Sequence, residues 1–331
     1  MTFITPARFL FNAGKTPKDW NKKILSDEHF KVIKYFPNST DVFPNVDIKG
    51  GVTITLRNKK IKYEKIKTFI VFDELKTILS KVLSKNFCSF SKLIYAPESY
   101  KLTKILHEEN KEAKKLLSQG HLYDLTTNIF ERLPDLFHDI PLDAVNSVGI
   151  VGRLNNQRVI KWIKASYIAD HENLKKYKVF IPKSNGSGTL GELLSTPMIG
   201  QPMIGHTQTF ISIGKFESKE EAQACLKYVE TKFVRCLLGT LKVTQDNKKN
   251  TWNNVPMQDF SSDSDIDWTK SVKEIDDQLY RKYGLTDKEI TFIEKKNSDH
   301  GLIFYIRCLM FCGFRVILNV KYFRVMSLSG R

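Results

Sequence analysis

Several residue types and signatures are scarce in this chain, and each scarcity removes a class of protein. Five cysteines in 331 residues, an odd and scattered set (Cys88, Cys225, Cys236, Cys308 and Cys312), argue against a disulfide framework and for a reducing cytoplasm. Seventeen glycines and eleven prolines are too few for a collagen-like or low-complexity chain. No G-x-S-x-G, H-E-x-x-H or Walker lysine occurs, so the usual hydrolase signatures are missing. The apolar start, Met1 to Phe11, is interrupted by Pro6 and Arg8; without a basic region before it or a small-residue cleavage site after it, it is not a signal peptide.

Acid is also in short supply. The 36 Asp plus Glu face 52 Lys plus Arg, a formal charge of +16, and the isoelectric point is near 9.4. Such an excess suggests a polyanionic partner, nucleic acid or an acidic membrane surface. The 41% apolar and 11% aromatic content is that of a folded protein, and the length is ample for two moderate domains.

Up to about residue 72 the pattern alternates strand and helix. Thr2 to Phe11 reads as a buried strand, Lys15 to Leu25 as a helix with Trp20 and Ile24 on one face, and Phe30 to Phe36 and Val52 to Leu56 as further strands. A helix is expected over Asp73 to Leu83, then a polar stretch from Lys101 to Gln119. Strand pattern returns over Val148 to Trp162, Tyr177 to Pro182 and Thr207 to Phe216. Ser218 should cap one long helix, with Glu220 and Glu221 near its positive end and Lys232 and Arg235 toward its negative end. Asp265 to Glu294 reads as two short helices joined at Lys282-Tyr283-Gly284-Leu285, where Gly284 suits a left-handed cap. From Gly301 onward there is no acid and there are five bases, which leaves +11 to the rest of the chain.

Motifs with catalytic overtones fail on context. Gly186-Ser187-Gly188-Thr189-Leu190-Gly191 has the G-x-G-x-x-G spacing, but Pro197 leaves room for barely one turn or two of the helix a dinucleotide requires; a polar loop whose amides could approach a DNA phosphate is the better reading. Asp41 and Asp47 with Lys49 loosely match a magnesium nuclease, yet two glycines follow at once and the segment reads as a turn entering a strand. Cys308 and Cys312 with His300 do not complete a zinc site, and no metal ligand set is expected. Gly301 to Val320 is apolar enough to suggest a membrane span, but Arg307 and Arg315 would each cost roughly 2.5–3.5 kcal/mol there. A peptide translated out of its ancestral frame accounts better for that tail.

Bases with amide companions gather between residues 150 and 210. Arg153, Asn155, Asn156, Gln157, Arg158, Lys161 and Lys164 surround one strand and its turn; Lys183, Asn185, Gly186 and Gly188 lie on the next loop; His206, Thr207, Gln208 and Thr209 follow. Arginine and lysine reach guanine acceptors, and asparagine and glutamine pair with adenine in the major groove. Standing alone, the cluster is equally a solvated polar face.

Thr2-Phe3-Ile4-Thr5-Pro6-Ala7-Arg8-Phe9-Leu10 and Val42-Phe43-Pro44-Asn45-Val46-Asp47-Ile48-Lys49-Gly50-Gly51-Val52, with Tyr228 to Arg235 and Asp265 to Trp268, resemble type II restriction-modification adenine-N6 DNA methyltransferases. These include fused type IIG enzymes with a TaqI-like specificity domain. The resemblance covers about residues 1 to 298 and implies an α/β chain: the last strands of a doubly wound methyltransferase sheet over 1–75, then a mixed α+β target-recognition domain over 76–262. A helical segment over 263–298 and the atypical tail over 299–331 follow.

The same resemblance places Phe43 against the flipped adenine, whose lost stacking an aromatic ring partly restores. A core phenylalanine at a strand edge is the plain alternative. The family binds S-adenosylmethionine through a Gly-rich loop and holds the adenine with an Asn/Asp-Pro-Pro-Tyr/Phe motif. That motif is absent, so no catalytic residue is assigned and S-adenosylmethionine is not expected to bind this chain alone. The implied protein recognises double-stranded DNA, binds it weakly or not at all by itself, and is a truncated piece whose missing catalytic half an upstream chain could carry. The competing readings are a non-catalytic DNA-binding or assembly subunit and a restriction endonuclease fragment.

Overall fold

The computed structural model describes residues 1–11, 16–48, 50–66, 68–143, 145–185, 190–242 and 245–296. Lys49, Gly186, Gly188 and the tail with Cys308 and Cys312 lie outside the described residues.

In chain order the elements begin with β1 (Thr2–Pro6), α1 (Lys18–Leu25), β2 (Phe30–Phe36) and β3 (Val52–Arg57). Next come α2 (Asp73–Leu83), the short β4 (Ile94–Tyr95) and three helices of one or two turns, α3 (Lys104–Glu109), α4 (Ala113–Leu116) and α5 (Ile129–Arg132). Six strands follow: β5 (Ser147–Leu154), β6 (Gln157–Lys164), β7 (Tyr177–Pro182), β8 (Met198–Gly200), β9 (Ile204–His206) and β10 (Phe210–Phe216). Helices α6 (Lys219–Glu230), α7 (Lys232–Leu238) and α8 (Val272–Tyr283) come after them, and residues 287–296 are helical as well.

The strand expected over Thr2 to Phe11 stops at Pro6, where a residue without an N–H ends the ladder; Ala7–Phe11 turn into a 3-10 helix that buries Ala7, Phe9 and Leu10. Strands β1 and β2 each pair antiparallel with β3, in the order β1-β3-β2. They therefore run parallel to one another, with α1 crossing between them and β3 reversed in the middle. This is a small mixed α/β unit, and the doubly wound sheet implied by the resemblance is not formed by these three strands alone. Phe9, Leu10, Leu25 and Phe30 make its core. The β1 edge is open among the described residues, and Phe3, Ile4 and, on β2, Ile33 are about half exposed.

The larger part holds two more sheets, β4-β10-β7-β8 and β6-β5-β9. The first packs on α2, α6, α7 and α8 through a continuous core that includes Ile78, Ile211, Tyr228, Phe233 and Leu279. The second covers a separate core with Leu106, Ile129, Ile150 and Ile163. Val151, Phe180, Ile204 and Phe210 join the two sheets.

The single helix expected after Ser218 is two helices. Ser218 Oγ does accept from Glu221 N, but α6 ends at Glu230; Thr231 leaves helical geometry, and its Oγ1 accepts from Val234 N at 3.2 Å to start α7. Lys232 thus opens a second helix, and its N–H and that of Phe233 donate to the buried Asp276 carboxylate at 3.0 and 2.9 Å. Gly284 closes α8 in the left-handed conformation, φ 62°, as its sequence position predicts.

Candidate nucleic-acid interface

Strands β5 and β6 form a hairpin with Leu154 opposite Gln157. The two residues between, Asn155 and Asn156, have φ of 50° and 61°, the left-handed pair that a two-residue hairpin turn needs and that asparagine tolerates. One pair back from the turn, Arg153 stands opposite Arg158. The end of β7, the loop after it and the approach to β10 meet the hairpin at this level. Together they enclose a cavity of about 490 Å³, lined by Arg153, Arg158, Lys183, Thr196, Gln208 and Thr209 among others, with no carboxylate among the described residues of its wall.

The cations differ in how they are held. Arg158 Nη2 donates to Thr196 Oγ1 at 2.7 Å, and its guanidinium lies 5.2 Å from the centre of the buried Phe210 ring. Partial burial, and then the charge of Arg153, press Arg158 below the usual arginine range. Arg153 Nη2 donates to Asn156 O at 2.6 Å, which braces the turn. Lys183 is half-buried, and its backbone N–H donates to Thr209 O at 2.9 Å, which ties the two loops together.

Other residues singled out in the sequence are used differently. Asn185 is buried: its amide donates to Leu193 O at 2.7 Å and its Oδ1 accepts from Ser195 N at 2.6 Å, so it shapes the loop and offers a ligand nothing. Lys242 Nζ, itself buried and paired with Glu192, donates to Asn185 O at 2.8 Å and pins the same loop. Thr207 is buried and donates to Thr209 Oγ1 at 3.0 Å. His206 sits in the core with Nδ1 donating to Thr207 O, and burial holds it neutral, its pKa pushed down to about 3. Lys161 pairs with Asp139 at 2.5 Å and Lys164 with Glu109 at 2.8 Å. The structure therefore converges on Arg153, Arg158, Lys183 and Gln208, and adds Thr196 and Phe210, for which the sequence carries no signal.

Phe43 follows the 3-10 turn Ser39–Asp41, its N–H donating to Ser39 O at 2.8 Å. Its ring is 40% exposed, so it is not a core residue, and it does not line the cavity. Asp41, at the end of that turn, and Asp47, in the irregular segment after it, are both exposed. Residues 190–197, where a nucleotide-binding helix would have to begin, are not helical.

Residues 1–43 match the family model described as Eco57I restriction-modification methylase. Among solved structures, the type IIG restriction endonuclease BpuSI is similar at 10% identity and a TM-score of 0.35, over 92% of this chain and 47% of that one. The present chain thus spans about half the length of that enzyme. No curated protein matches.

A wider groove of about 1200 Å³ runs between α6 and residues 260–269. Glu220, Glu221, Asp265 and Asp267 stand on its walls around Phe260 and Trp268. Its charge repels a phosphate backbone, so the basic cavity is the nucleic-acid candidate. No helix among the described residues is long and apolar enough to cross a membrane.

Proposed function

We propose that this chain is the DNA target-recognition portion of a restriction-modification polypeptide whose complete form methylates adenine at N6. The cavity carries the reading: two arginines and a lysine, carboxylate-free, stand at one end of a rigid scaffold where three loops meet. Cations so placed attract phosphate oxygens, and the amide of Gln208 beside them suits base edges. The family-model match over residues 1–43 supports the parentage.

S-adenosylmethionine would be held by another polypeptide. Among the described residues no strand passes through a glycine-rich turn into a helix, the geometry a nucleotide-like cofactor uses. That partner would pair with the open β1 edge, and the exposed Phe43 ring would then be available to the extruded base. In this reading the protein works in the cytoplasm.

Duplex binding at low salt tests the proposal. Fluorescence anisotropy should show weak affinity that falls as salt rises and disappears when Arg153, Arg158 and Lys183 are replaced together by alanine. Affinity indifferent to that triple change sinks it, as does methyl transfer to duplex DNA by this chain alone.

A further inference from the structure

Within the cationic set, one side chain is built differently from the rest, and the inference drawn from it rests on the DNA reading above. Lysine 183 presents a single ammonium on a flexible stem, which suits a phosphate. Arg153 is turned back on Asn156. Arg158 alone of the three has its guanidinium held from two directions, by the Thr196 hydroxyl at one nitrogen and by the Phe210 ring, whose centre is 5.2 Å from its central carbon. Thr196 takes one Nη2 hydrogen; Nε, Nη1 and the second Nη2 hydrogen have no partner among the described residues, so one converging pair of donors, that hydrogen with Nε or with Nη1, remains. A phosphate can be approached from many directions and gains little from such fixation. Two coplanar acceptors gain much, and in duplex DNA they are the N7 and O6 of guanine on the major-groove edge. The carrier fits as well, because beyond Val151, where β9 stops pairing with β5, the hairpin continues to its two-residue turn as a two-stranded antiparallel ribbon, whose width the major groove admits.

We infer that Arg158 is the specificity-determining residue that reads a guanine in the major groove, with Thr196 and Phe210 as its positioning residues. Arg153 and Lys183 neutralise the flanking phosphates.

Selection from a random duplex pool at low salt, read by sequencing, tests this with the full chain and its variants Arg158→Ala, Arg158→Lys and Thr196→Val. The wild-type chain should enrich a motif with guanine at one position. Arg158→Ala and Arg158→Lys should each lose about tenfold or more of the preference there and keep the other positions. Thr196→Val should blur the same position alone. Placing 7-deazaguanine at that position should weaken the wild type and leave Arg158→Ala unmoved. A motif unchanged in Arg158→Ala, or restored by lysine, assigns Arg158 to a phosphate and overturns the inference while leaving DNA binding intact. A wild-type chain that retains no duplex at all overturns the DNA reading itself, and this inference with it.

Discussion

Arg153 and Arg158 face one another across the β5–β6 ladder, two like charges held as a directly opposed pair. Opposed like charges destabilise a sheet by about 0.2–1 kcal/mol, and no acidic side chain among the described residues lines the cavity to offset them. A double-mutant cycle with alanine at both positions should therefore give an unfavourable coupling of that size in thermal unfolding of the free protein, shrinking in high salt. A favourable coupling would mean that the pair is structural.

Lys183 contributes charge without geometry. Lys183→Ala should weaken duplex binding to about the same extent for every sequence and lower the slope of log affinity against log salt by about one. The check is a salt titration on two unrelated duplexes, and a loss confined to one of them contradicts the assignment.

Gly152 keeps the hairpin seated. A Cβ there would lie 2.4 Å from Phe130 Cε2 and 2.9 Å from Thr207 Cγ2, so a side chain forces β5 away from the segment that carries Gln208. Gly152→Val should cost about 1–3 kcal/mol and abolish DNA binding along with it. Full binding in that variant would show that the cavity walls need not be held in register.

Lys178 is fully buried and donates to the carbonyls of Asn173 and Leu174 at 2.8 and 2.9 Å. Burial pulls its pKa from the ordinary 10.5 down to about 7. Between those values the unfolded chain binds more protons than the folded one, so this group adds stability as pH rises from 7 toward 10.5 and withdraws it as pH falls back through 7. Lys178→Met has no such dependence. Its melting temperature relative to wild type should be most favourable near pH 7 and decline by pH 10, and a difference that grows with pH refutes the account.

The β1 edge offers a separate test. Phe3 and Ile4 alternate on the two faces of a strand that is open among the described residues and are 47% and 52% exposed, an apolar edge that favours association. The isolated chain should bind a hydrophobic dye and aggregate on heating, and Ile4→Lys should reduce both. A sharp melt with no dye binding in the wild type would make the N-terminal sheet self-sufficient.

Much of the local structure was legible because local physics decides it. The α2 helix has the bounds its apolar spacing indicates, Gly284 takes the left-handed cap, and the Asn155-Asn156 pair makes the hairpin turn. The single helix expected after Ser218 failed because a threonine hydroxyl and the Asp276 carboxylate, one adjacent and one distant in sequence, start a new helix at Lys232. Charge sign and the residues that could meet DNA are also properties of the sequence.

What only the tertiary structure decides is which of those residues remain available. Asn185 and Thr207 turn inward, because a loop and a strand end inside the protein need their hydrogen bonds. Lys161 is taken by Asp139. Thr196 and Phe210 reach Arg158 across long stretches of chain and hold its guanidinium. The sequence supplied the excess of positive charge; folding chose which cations keep their donors, since a buried polar group must find a partner and holding a guanidinium in place requires contacts from elsewhere in the fold.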